Sequence, residues 1–150
     1  VKFFIDENLP PRLTDPLDVI FRGHEFRSCL HEGLSGTLDI PLFEILRTRE
    51  FGAIITKDTG QVGRNDDERR ALHERGIHWI GVKEPSARGL QLVTAWVASI
   101  TAAMPHILEK VEQADCQPSW FGVKGITHQS AQRMDSGELW RPRWGARPAA

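Results

Sequence analysis

Acidic residues at the ends of apolar runs carry the chemistry available to this sequence. Asp6 and Glu7 follow VKFFI, Asp58 follows FGAIITK, Asp39 opens DIPLFEIL, and Asp66 and Asp67 open DDERRAL. A strand leaving a buried sheet ends more naturally in small turn residues, so carboxylates at its exit need water or a cation. If the first and third runs are parallel neighbours, Asp6 and Asp58 emerge at one sheet edge. Asp39 begins the helix that runs back before the third strand, which brings it to the same end, and Asp66 or Asp67 starts the next helix there. Four converging carboxylates raise one another's pKa unless a divalent cation neutralises them, and hard oxygen ligands suit Mg²⁺ or Mn²⁺. Such a site can activate a nucleophile and stabilise the leaving oxygen of a phosphodiester.

Each acid also has a plain reading. Asp39 and Asp66 fit helix N-caps, and Asp58 fits a turn at a strand exit. Glu7 should point away from Asp6 by strand alternation, and it can support Asp6, join the metal ligands or pair with Arg12. Lys57 and Arg64, beside the glycine-punctuated loop 59–65, are the candidates for gripping phosphate. Arg69 and Arg70 read as a solvated helix face with spacings such as Arg70 to Glu74. None of the six histidines has a ligand spacing.

The elements that must position these acids follow from apolar patterning. Residues 1–5, 24–29, 51–58 and 77–82 read as strands, the first too apolar to be half exposed, as in a sheet covered on both faces. Helices are expected from Pro10 to about Phe21, with Asp15-Pro16 a possible break, from 39 to 50, and over DDERRALHE before Gly76. HEGLSGT (31–37) reads as loop. From Ser86 a stripe of Val93, Trp96, Val97, Ile100, Met104, Ile107, Leu108 and Val111 predicts a long helix docked on the sheet, kinked or divided by Pro105. SWFGVKG can add an edge strand. The order predicts a three-layer α/β/α sandwich with a mainly parallel sheet, whose ligands gather beyond the carboxyl ends of the strands. The expected division is one domain over 1–128 and a mobile tail over 129–150, where Trp140 and Trp144 lie among arginines and prolines.

Bulk properties narrow the classes. The chain has 150 residues and a net charge of -1, enough for one core and too balanced to hold polyanions by overall charge. Cys29 and Cys116 form no CxxC or metal-ligand spacing, which fits free thiols in a reducing cytosol. No secretory signal is expected, and no run reaches the roughly 18 consecutive apolar residues of a membrane span, so no membrane partner is expected.

FFIDENLPPRL, GLSGTLDIPLFEIL and AIITKD together resemble the PIN-like toxins, and DDERRAL with the late helix brings the chain near the VapC45-like branch. The resemblance covers residues 1–82 well and the rest loosely. It implies a cytoplasmic Mg²⁺- or Mn²⁺-dependent ribonuclease, the toxin half of a toxin-antitoxin pair, with RNA as substrate, a cognate antitoxin as partner and a homodimer as a frequent assembly. Asp6, Asp39 and Asp58 match the first three acids. Where many relatives carry a further Asp two positions after the third, this chain has Gly60, so the fourth acid falls to Asp67 or Asp66. Water would attack the phosphodiester in line, leaving a 5′-phosphate and a 3′-hydroxyl. Two alternatives stand beside this: a PIN-like binding module without catalysis, and a receiver-type phospho-acceptor with Lys83 after the fourth strand. The second lacks the strand-helix unit that fold needs between Asp58 and Lys83.

Overall fold

A computed structural model describes residues 1–57, 64–126 and 129–136. Five strands, β1 (Lys2–Ile5), β2 (Glu25–Ser28), β3 (Ala53–Thr56), β4 (His78–Val82) and β5 (Trp120–Val123), form one sheet in the order β2-β1-β3-β4-β5, with every pair parallel. The helices are α1 (Thr14–Ile20, after a 3-10 turn over Pro11–Leu13), α2 (Cys29–Glu32), α3 (Asp39–Thr48), α4 (Asp66–Glu74) and α5 (Gly89–Val111). The α/β/α sandwich expected from patterning is the observed architecture, and SWFGVKG does supply an edge strand.

Alternation along the strands divides the core in two. Phe3, Ile5, Ile55, Ile80, Val82 and Val123 face α1 and α5, where Leu13, Leu17, Trp96, Ile100, Met104 and Ile107 meet them. Phe4, Ile54 and Trp79 face α3 and α4, against Leu42, Phe43, Leu46, Ala71 and Leu72. β3 and β4 are buried along their whole length, as their unbroken apolar runs require.

The crossovers do not all have the same hand. The step from β1 to β2 goes one way across the sheet with α1 on the Phe3 face. The steps from β2 to β3 and from β3 to β4 go the other way with α3 and α4 on the Phe4 face, which is the same hand. From β4 to β5 the chain continues in that second direction, yet α5 lies on the Phe3 face, so this crossover has the opposite hand. Parallel β-α-β connections overwhelmingly share one hand, which makes the last unit an exception. Its consequence is local: β5 is covered by α5 on one face, while on the other Trp120 stays 67% exposed.

Three local readings need correction. The segment starting at Cys29 forms one helical turn before the loop, because Ser28 accepts a hydrogen bond from the His31 N–H and Gly33 closes the turn at φ 67°. Pro16 does not interrupt α1, since it falls in the first turn, where its missing N–H is not needed. Pro105 lies inside α5 without dividing it; Ile100, Met104 and Ile107 pin the turns on both sides of it to the core. By length and composition α5 could cross a membrane, although no run of consecutive apolar residues suggested it. About 33% of that stretch is buried, with Trp96, Ile100, Met104 and Ile107 against the sheet.

Candidate active site

The ladder between β1 and β3 sets up the acidic edge. Asp6 is the first residue beyond β1, and its N–H still donates to the Ile55 carbonyl at 2.9 Å, so its side chain leaves the sheet at a fixed height. One carboxylate oxygen accepts the Thr56 hydroxyl at 2.7 Å and the other accepts the Glu7 N–H at 2.8 Å. Asn8 ties the two strand exits together: its amide donates to Thr56 Oγ1 at 3.0 Å and its carbonyl oxygen accepts the Lys57 N–H at 3.2 Å. Thr56 is fully buried beneath this arrangement. Neither Asn8 nor Thr56 was singled out from sequence; the signal available was a polar residue ending each of two buried runs.

Asp6 is held above the usual carboxylate range. Burial is the main cause, and the charges of Asp39 and Glu7 add to it, while the hydrogen bonds from Thr56 and the Glu7 backbone work against it. Among the described residues no Lys, Arg or His pairs with Asp6. Asp39 is the first residue of α3 and does not cap it; Leu38 occupies the cap position. Glu7, exposed, accepts the Gly36 N–H at 2.9 Å, which anchors the loop before α3 to the exit of β1. The left-handed backbone at Gly36, φ 77°, presents that N–H. Cys29 lies close enough to sense Asp6 and Glu7, and burial together with their charges pushes its thiol up.

The remaining candidates are placed as follows. Asp58 and Gly60 lie outside the described residues. The α4 helix is capped by Asn65, whose side chain accepts the N–H groups of Asp67 and Glu68 at 3.1 and 3.2 Å and donates to the Glu68 carboxylate at 2.7 Å. Asp66 is therefore not the cap; it and Asp67 share the first turn, and Asp66 pairs with Arg69. Lys57 turns toward the α5 side, with its ammonium 3.6 Å from Glu84 and 5.9 Å from the Trp96 ring centroid. Arg64 is exposed immediately before the cap. The structure thus brings Asp39 and Glu7 within electrostatic reach of Asp6 at the carboxyl edge. Among the described residues, no group of three or more His, Cys, Asp or Glu side chains is arranged to hold a metal ion.

A half-buried carboxyl beside like charges and without a protein cation is a donor set that a hard divalent ion would relieve. The family model described as a PIN-like domain matches residues 1–84, which run from β1 to just beyond β4 and include every acid discussed. This chain belongs to the PIN-like domain family. PIN-like domains are commonly nucleases, so nuclease-type chemistry is the general function the family supports. No curated protein and no solved structure matches the PIN-like chain significantly.

Proposed function

We propose that this PIN-like protein is a metal-dependent endoribonuclease acting as the toxin of a toxin-antitoxin pair. The observation that carries the proposal is Asp6: half-buried, oriented by two hydrogen bonds, crowded by Asp39 and lacking a cationic partner among the described residues, at the sheet edge where parallel α/β folds bind ligands. Asp6 and Asp39, with Asp58 and Asp67 or Asp66, would hold Mg²⁺ or Mn²⁺, and Glu7 would support them from the neighbouring loop. The ion would supply Lewis-acid stabilisation of charge at the scissile phosphate. Thr56 and Asn8 orient Asp6, and the Asn8 bracket keeps the exits of β1 and β3 from separating. Lys57 can turn from Glu84 toward phosphate, and the exposed Arg64 is the second candidate to hold it. A protein antitoxin would silence the site by covering this edge.

Incubation of the purified protein with RNA in Mn²⁺ and in EDTA tests the nuclease. Cleavage that needs the metal, leaves 5′-phosphates and disappears in Asp6→Asn is expected; equal cleavage in EDTA or by Asp6→Asn removes the site. Growth arrest on induction, relieved by the product of an adjacent small reading frame, tests the toxin role separately.

A further inference from the structure

On the Phe4 face of the sheet, away from the acidic residues at its edge, two tryptophans lie side by side. Trp79 and Trp120 are register partners on β4 and β5, and Gly81 and Gly122 are the register partners two residues on. Each indole lies toward its glycine: a β-carbon on Gly81 would collide with the six-membered ring of Trp79, and one on Gly122 would sit 3.6 Å from Trp120 Cζ3. The repeated Trp-x-Gly pattern thus lays the rings down where side chains would otherwise stand. Trp79 is buried against α4, and Trp120 continues the aromatic surface outward because the opposite-handed crossover left this face of β5 bare. Above them α4 contributes Asp66, Arg69, Arg70 and His73 to a cavity of about 460 Å³. Asp66 is paired with Arg69, whereas Arg70 has no ionic partner among the described residues.

We propose that this shelf is a subsite for an unpaired nucleotide of an RNA strand, with the base stacked on Trp120 against the edge of Trp79 and its phosphate held by Arg70. The proposal rests on the ribonuclease reading, whose substrate it extends away from the acidic edge. Flatness favours a base over an aliphatic side chain, since stacking on an aromatic face accepts any base. The guanidiniums at the rim supply the charge a phosphate needs, and the volume lies within the range of sites that enclose one small ligand. Seven residues of helix rise by about 10 Å, so the α4 wall from His73 to Asp66 carries the shelf up toward the carboxyl edge.

A short fluorescein-labelled oligoadenylate, titrated by anisotropy in EDTA so that no cleavage intervenes, tests this. Trp120→Ala should weaken binding roughly tenfold, Trp120→Phe should retain most of it, and Arg70→Ala should weaken it and flatten its salt dependence. Annealing the complementary strand should abolish the Trp120 effect. Trp120 is exposed, so these variants should melt like the wild type. Unchanged binding in Trp120→Ala overturns the proposal, as does an altered sedimentation coefficient with unchanged RNA binding, which would make the face a protein contact. The two readings fail separately: Trp120-dependent binding without metal-dependent cleavage discards the nuclease, and Asp6-dependent cleavage indifferent to Trp120 and Arg70 discards the shelf.

Discussion

The first three β-α-β units and the last one bury the same kinds of side chain, yet they leave opposite things exposed. The early units send α3 and α4 over one face and α1 over the other, and what remains open is the sheet edge with Asp6 and Asp39. The last unit places α5 on the Phe3 face, and what remains open is a flank of β5 with Trp120. Polar atoms at the first opening are held by hydrogen bonds between strand exits; aromatic rings at the second are held by glycines beneath them. The lesson is that a crossover's hand decides which surface of a sheet is available, independently of how apolar the strands are.

The sharpest break in that comparison is catalytic. Asp6→Asn should lower Mn²⁺-dependent RNA cleavage by more than about 100-fold, while the metal-free variant melts no lower than the wild type, because one half-buried charge beside Asp39 and Glu7 has gone; gel assays and thermal melts read the two effects. Next comes the core. Ile55→Ala, fully buried in β3, should cost about 2–5 kcal/mol in urea unfolding, and Val123→Ala in β5 about 1–2 kcal/mol. Equal losses would mean that the last strand is as deeply anchored as the central one.

A smaller contrast separates the two glycines. Gly81→Ala must displace the Trp79 ring and should cost about 1–3 kcal/mol, whereas Gly122→Ala meets only ordinary contact and should stay within about 0.5 kcal/mol. The smallest effects are those of pH, with opposite signs in the two regions. Asp6 titrates higher folded than unfolded, so its contribution is present below pH 3.8 and is lost as pH rises through the folded value. His78, lowered by burial and accepting the Ser119 N–H at 3.1 Å, contributes fully above pH 6.5 and loses that stability as pH falls through 6.5 toward its folded value. In metal-free chemical denaturation, Asp6→Asn should remove the first slope and His78→Gln, which keeps an acceptor for Ser119, the second.

Much of the architecture was legible because FFI, AII and WIGV are short apolar runs that a doubly covered strand explains. The convergence of Asp6 and Asp39 followed from topology, since a helix between parallel strands must start where the previous strand ended. The cap of α4 was misread because Asn65 and Asp66 are equally good cap residues and only backbone geometry separates them. Pro16 and Pro105 looked like breaks because a proline's effect depends on its position in the helix and on the packing around it. The shelf was out of reach for a different reason: Trp79 and Trp120 are far apart in sequence, and which face of β5 stays bare depends on the hand of a crossover that local pattern does not encode.

That last crossover also separates two lengths that are easily confused. The stretch recognisable as PIN-like ends at residue 84, but Ile55, Ile80 and Val82 are closed from water by Trp96, Ile100, Met104 and Ile107, all beyond it. A chain stopped at the end of the match would carry every described acid of the site on a four-stranded sheet with one greasy face open. The smallest piece that can behave as a cooperative folding unit therefore extends at least through α5, and truncation or fusion points belong after Val123.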